Sequence, residues 1–384
     1  MIGTPSAVAT RIGNGAFTQA SLTGNVLSFS LPAGATNYTV AYVCPPPSPF
    51  FTPSVSESVI EASIQDGTAF TGDCTSFGLV FSVKAIGTVD ARAISGATQV
   101  RILGKGELLP IFRGPPLGVF TFFSVDLFPG TQDVAVLAED AKGHILAIKV
   151  LPAQSVPGPL NGGATILFGA ADATTMQSFT MTNLPAGFLG GQSVEYQTAN
   201  GTLFPLTFQS VNQIASYAIV PAAATQDGDA YVFSAGAFNF PQSLDISQRT
   251  NNGSGPVTLA YPGPWSFAGP APAAFPTFTF DYSGFPAGLS TVAQQASIHW
   301  SATSSTRNSI SLLATANFQN GTTILTIPNL TSISGFLSPP ASGTTVNWSA
   351  FINASTAQEL SLFATPPPNV STALVQTSGS YTEP

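Results

Sequence analysis

The chain offers few residues able to do chemistry, and their spacing is informative. His144 and His299 are the only two histidines among 384 residues. His144 follows Lys142-Gly143. His299 stands between Ile298 and Trp300, so an alternating strand turns it to the opposite face. Neither has a second ligand-type residue at metal-binding spacing, and no G-x-S-x-G elbow accompanies them. The carboxylate pairs are Glu139-Asp140 and Asp227-Gly228-Asp229. Glycoside hydrolysis needs two carboxyls facing across a cleft, whereas adjacent strand residues point apart. Asp227 and Asp229, helped by loop carbonyls, are candidate ligands for Ca²⁺, a hard cation that collects oxygens. A polar turn ahead of Ala230-Tyr-Val-Phe233 is the simpler reading. No catalytic residue is assigned and no cofactor beyond Ca²⁺ is expected. The chain reads as a non-enzyme, with a hydrolase site built between modules as the remaining catalytic alternative.

Aromatic and amide groups offer binding rather than catalysis. Most of the 29 Phe alternate within strand-like runs and read as core. Trp265, in a proline-rich stretch, and Trp348, beside Asn347, are the candidate ligand-binding residues. A ring next to an amide suits a glycan or a partner surface. Burial in a core is the competing assignment for both rings.

The two cysteines, Cys44 and Cys74, each close a strand-like run and are expected to form one disulfide, as in exported domains. Charged residues make up 7% of the chain, far below the quarter usual in soluble domains, while 44% is hydrophobic. Residues 1–152 hold eight of the ten Lys and Arg, from Arg11 to Lys149; only Arg249 and Arg307 follow. A net charge of −8 without a basic cluster excludes nucleic acid as a partner class. No apolar run is long enough for a transmembrane helix. The start, Met1-Ile-Gly-Thr-Pro, has neither the basic nor the apolar region of a signal peptide. The composition nevertheless predicts an extracytoplasmic, secreted or cell-surface protein whose export signal, with or without a lipid anchor, was removed ahead of Met1. The expected partners are other surface proteins, further copies of the chain, or glycans.

These residues must be positioned by strands. A unit recurs in which an alternating aromatic strand runs into a Pro-Ala-Gly-like turn and a second alternating strand. Its copies are Leu27-Ser-Phe29-Ser-Leu31-Pro-Ala-Gly34 to Tyr38-Thr-Val40; Phe120-Thr-Phe122 through Pro129-Gly130 to Val134-Ala-Val136; Phe179-Thr-Met181 through Pro185-Ala-Gly187 to Val194-Glu-Tyr196; and Phe278-Thr-Phe280 through Pro286-Ala-Gly288 to Ile298-His-Trp300. Leu325-Thr-Ile327 to Val346-Asn-Trp348 is a degenerate fifth. Pro withholds a donor and ends the strand, and Gly supplies the conformation that turns the chain. The second strand is expected to return across the turn.

Helical periodicity is almost absent, its best trace being one turn near Thr291–Gln295. The fold class expected is all-β, a tandem array of antiparallel sandwiches of immunoglobulin-like build. Proline clusters at 152–159 and 262–276 place the boundaries. They give an N-terminal region spanning 1–153, divisible into small sandwiches 1–84 and 85–153, a middle sandwich 154–264 and a C-terminal sandwich 265–384. A nearly Lys-free surface also raises chain-to-chain association through sheet edges, the behaviour of a fibre subunit.

One stretch carries a family likeness. Gly87-Thr-Val-Asp-Ala-Arg-Ala-Ile-Ser-Gly96-Ala-Thr-Gln-Val100 is followed by the aromatic strand at Phe120, the Pro129-Gly130 turn, and a hairpin with Gly143 at its tip. Residues 87–150 thereby resemble the prealbumin-like sandwich of carboxypeptidase regulatory-like domains. That resemblance implies an accessory module without catalytic residues of its own. The whole chain also resembles bacterial cell-surface lipoproteins, although it shows no lipobox cysteine.

Overall fold

Strands account for nearly all regular structure. The computed structural model describes residues 4–45, 54–69, 72, 74, 82–105, 117–207, 214–251, 253, 255–263, 267–280, 288–303, 306–357 and 369–384. The first block holds β1 (Ala7–Ile12), β2 (Thr18–Gln19), β3 (Asn37–Cys44) and β4 (Ser54–Ser63). The second holds β5 (Val83–Asp90), β6 (Gln99–Leu103), β7 (Leu117–Gly118), β8 (Phe120–Leu127), β9 (Gly130–Glu139), β10 (Ile145–Val156), β11 (Gly158–Pro159) and β12 (Thr165–Leu167). The third holds β13 (Thr175–Thr182), β14 (Leu189–Gln197), β15 (Leu203–Pro205), β16 (Ile214–Ile219), β17 (Ala230–Asn239), β18 (Gln242–Thr250) and β19 (Val257–Ala260). The last holds β20 (Thr277–Thr279), β21 (Ser290–Ser301), β22 (Arg307–Thr315), the single turn α1 (Ala316–Gln319), β23 (Ile324–Thr326), β24 (Thr345–Ser355) and β25 (Val370–Thr382).

Among the described residues, twelve strands form one sheet in the order β15-β14-β17-β18-β25-β24-β21-β22-β4-β3-β1-β2. This sheet runs straight across the expected boundaries near 153 and 264. Strand β18 pairs with β25 over eight residue pairs, from Gln242↔Thr377 to Arg249↔Val370. Strand β4 joins β22 in parallel, from Arg307↔Ser54 to Ala314↔Glu61. The first, third and fourth blocks are therefore fused by backbone hydrogen bonds rather than strung as separate modules. Its edges are the two-residue β2 and the three-residue β15, which ends in Pro205. Edges this short offer little template for another chain.

The second block closes a sandwich of its own. Sheet β10-β9-β6-β7 faces β11-β5-β12, with β8 on β5. Val89, Val100, Phe123, Val136, Ala147, Leu160 and Ile166 fill the space between. The proline cluster at 152–159 does not end it. Pro152 and Ala153 occupy a bulge in β10 between Leu151 and Gln154, a place where a strand tolerates proline. The core extends to Phe168.

A second layer covers one face of the long sheet. It consists of β16-β13-β19 and β20-β23, and the space between the layers holds Phe179, Val194, Phe233, Leu244, Phe278, Ile298, Ile310 and Ile352. The repeated turn takes its meaning here, because β13 and β14 do not form a hairpin. Strand β13 pairs with β16 and β19, while β14 pairs with β15 and β17. The Pro185-Ala-Gly187 corner thus carries the chain from the covering layer to the long sheet, and Gly187 turns it with φ of 83°. Copies two to five join strands of different sheets in the same way, β8 to β9, β13 to β14, β20 to β21 and β23 to β24. In the fourth copy Pro286 and Ala287 lie outside the described residues. The first copy departs from the pattern, since residues 27–36 form no strand and only its second half, β3, is realised. In the third and fourth copies Phe179, Phe278 and Phe280 are buried in the interlayer space, whereas Phe120 and Phe122 of the second copy are exposed and Phe123 is the buried ring.

The turn expected near Thr291–Gln295 lies in β21. A bulge between Thr291 and Ala293 buries Val292, Ala293 and Gln294 in succession, which mimics helical patterning. Among the described residues the one α-helical turn is α1, capped by the Thr315 hydroxyl accepting from the Phe318 N–H at 3.2 Å.

The parallel seam between β4 and β22 carries unusual polar burial. Glu57, on β4, is 1% exposed and accepts from the Leu337 N–H at 3.1 Å. Its Oε1 has no hydrogen-bond partner among the described residues. Burial pushes its carboxyl up to about 7, against the opposing backbone bond from Leu337. Glu61, also buried, pairs with Arg11 of β1, whose guanidinium stacks on Phe17. Asp66 binds the Thr315 hydroxyl at 2.6 Å and the Asn317 amide at 2.7 Å, which latches the end of β4 to α1. The Cys44–Cys74 disulfide expected from the sequence is formed in this first block.

Candidate functional site

Trp265 lies outside the described residues. Trp348 is 8% exposed, wedged between the layers with ring centroids 5.4 Å from Phe267 and 6.2 Å from Phe278. Two bare backbones make room for it. A Cβ on Gly379, its cross-strand neighbour, would lie 2.6 Å from its ring, and one on Gly269 2.9 Å. Trp348 is a core residue and presents no platform. Asn347 alternates to the opposite face and is exposed, so the sheet separates the ring from the amide.

Asp227 is exposed and Asp229 is buried. Asp229 spends its oxygens inside the fold. It accepts from the Tyr196 hydroxyl at 2.7 Å, the Ala199 N–H at 2.7 Å and the Gln226 N–H at 2.8 Å. That geometry braces the turn before β17 and leaves Asp229 a structural carboxylate. Among the described residues no three His, Cys, Asp or Glu converge as a metal site. His144 bonds Asp140 at 2.8 Å at the tip of the β9–β10 hairpin, and Glu139 turns inward to Arg101 at 2.7 Å. His299 is exposed, while Ile298 and Trp300 are buried, as the alternation requires. Partial burial and the Arg307 charge lower its pKa.

A large concavity lies elsewhere, on the uncovered face of the long sheet over β14, β17, β18 and β25, with a volume of about 1050 Å³. Its origin is a register effect. Gly191 on β14 sits directly opposite Gly236 on β17, so two neighbouring positions in the outward side-chain layer are empty. That cross-strand row continues through Asp245 and Leu374 to Asn353. The next row toward one end is the exposed pair Leu189 and Phe238, 59% and 58% accessible, followed by Ser243. Toward the other end come Ser193, Ser234, Ser247 and Thr372, then Glu195 against Pro205. The result is a trough with a backbone floor, an apolar lip, a hydroxyl row and two carboxylates.

Asp245 leans over the bare floor, since a Cβ on Gly236 would lie 2.7 Å from its Oδ1. Burial raises the pKa of half-buried Glu195, and partial desolvation raises that of Asp245, whose residue is exposed at the trough surface. The two acids are two strands and four residues apart along the sheet, roughly 16 Å between Cα atoms from strand spacing and rise. That distance is too long for them to share one cation or to flank one glycosidic bond. Sequence reasoning passed the trough over because Gly191, Gly236 and Asp245 are unremarkable until the register aligns them.

No protein-family model matches the chain, and no curated protein matches it. Among solved structures, one from Bacteroides ovatus described as a putative adhesin matches at 9% identity, covering 50% of this chain and 94% of that one, with a TM-score of 0.17. A superposition that loose carries no argument about role. Neither the carboxypeptidase regulatory-like likeness nor the lipoprotein likeness is supported by these comparisons.

Proposed function

We propose that this is a non-catalytic, exported β-sandwich protein that binds glycans in the trough over β14, β17, β18 and β25. The observation that carries the reading is the composition of that trough. A sugar ring presents an apolar face and a rim of hydroxyls. Leu189 and Phe238 supply an apolar wall of matching kind, while Ser193, Ser234, Ser247, Thr372 and Asn353 supply short polar groups. The Gly191–Gly236 floor lets a flat ring approach the backbone. Strands β17, β18 and β25 are paired on both sides, so an extended peptide cannot add beside them as a new strand, while β14 carries β15 over Glu195–Gln197. The disulfide and the low-charge polar exterior support a location in an oxidising compartment. No helix among the described residues is long and apolar enough to cross a membrane.

The test is a glycan array probed with the full chain and with Phe238→Ala. Phe238 is exposed, so its truncation is expected to leave the thermal transition unchanged while erasing the array signal. An array without signal, or one that F238A leaves intact, sinks the reading.

A further inference from the structure

The trough has a charge asymmetry that narrows its ligand. Among the described residues its lining includes Glu195 and Asp245 and no Lys, Arg or His. The nearest basic group in the same cross-strand rows is Arg249, opposite Val232. It is turned aside, donating to Gln197 Oε1 and to the Gly228 carbonyl, each at 3.1 Å. With no cation in the lining and Arg249 engaged elsewhere, the charges of half-buried Glu195 and exposed Asp245 are incompletely compensated by the protein. A ligand that brings positive charge relieves that cost, whereas an anionic ligand adds to it. Asp245 stands beside Gly236 in the glycine row, and Glu195 stands beyond the serine row, four residues along β14 from Gly191. A chain several rings long meets both, and a single sugar meets one.

We infer that the trough selects a linear oligosaccharide carrying free, protonated amino groups, of the glucosamine type, over its N-acetylated and neutral counterparts. This rests on the reading of the trough as a glycan site. The ring faces lie against Phe238 and Leu189, and the ammonium groups face Asp245 and Glu195. Acetylation removes the charge while keeping the ring and most hydroxyls, so it isolates the electrostatic contribution from the apolar one.

The experiment is titration calorimetry of the full chain at mildly acidic pH, with a glucosamine oligomer, the same oligomer fully N-acetylated, and a glucan oligomer of equal length. The amine form is expected to bind roughly tenfold more tightly than the acetylated form, with the gap closing at high salt. Asp245→Asn and Glu195→Gln should each lower the amine affinity several-fold and leave the acetylated affinity unchanged. Phe238→Ala should weaken every form that binds. Equal affinity for the amine and acetylated forms, with F238A weakening both, overturns the selection for amines while the glycan site stands. Amine binding that survives D245N and E195Q overturns it too, because diffuse attraction to a chain of net charge −8 then explains the affinity. If no oligomer binds, both the inference and the reading beneath it fall.

Discussion

Two buried side chains show how a residue's surroundings reassign its role. Trp348 looks like a binding ring in sequence because Asn347 and Ser349 flank it. The alternation of β24 turns those neighbours to the other face and leaves the indole against Phe267 and Phe278. Trp348→Ala should therefore cost about 3–5 kcal/mol of stability by urea unfolding, and the folded remainder should keep its glycan affinity. Lost affinity in a folded W348A protein would return the ring to the binding site. Glu57 is the other case. Its carboxyl stays protonated in the folded chain up to about 7, far above its ordinary range. The folded state thus holds a proton that the unfolded chain releases near 4.5. The resulting stability is present at lower pH and is lost as pH rises through about 7. Glu57→Gln should flatten this slope, making the variant more stable than the parent above pH 7 by about 1–3 kcal/mol. Parallel pH profiles of melting temperature for parent and variant would refute the assignment.

Among the strands and turns, the repeated corner was legible and its destination was not. Alternation, proline and glycine announce a strand, a stop and a turn, and the corner between β13 and β14 follows that order residue by residue. Whether the next strand pairs with the last or enters the facing sheet depends on partners far along the chain. The parallel pairing of β4 with β22 is the clearest example, since residues 54 and 307 carry no local sign of each other. The trough was hidden for the same reason: a glycine in one strand becomes a floor only when another glycine lies across from it. The corner itself yields a prediction. Gly187 sits at a φ of 83°, and a Cβ there would come no closer to its surroundings than 3.4 Å, at the Asn239 amide. Gly187→Val should therefore destabilise mainly through backbone strain, by about 1–3 kcal/mol. An unchanged melting temperature would show that the turn tolerates a side chain and that the repeat is compositional.

The molecule as a whole is one long sheet with a partial second layer and a small sandwich that joins the main core through Leu103, Ala135, Leu137, Ile145 and Ile148. Composition and repeats disclosed the all-β class and the cysteine pairing, yet they suggested divisions at 153 and 264 that backbone pairing overrides. The Cys44–Cys74 bond closes a 30-residue separation in the first block, and chain entropy puts its contribution at about 3–4 kcal/mol. The β3–β4–β22 pairing ties that block into the common sheet, so reduction should lower the main calorimetric transition itself. A separate early transition for residues 4–69, with the main peak unmoved, would mean that the blocks fold as independent modules.

Whether the long sheet holds a glycan over the Gly191–Gly236 floor is read most directly by hydrogen–deuterium exchange. The full chain is compared with and without the oligosaccharide that binds most tightly. Slower exchange is expected to be confined to β14, β17, β18 and the Val370–Thr377 half of β25, with β20, β23 and the Val346–Trp348 end of β24 unchanged. Protection centred on Asn347 and its neighbours, or on the small sandwich of residues 83–168, would contradict it.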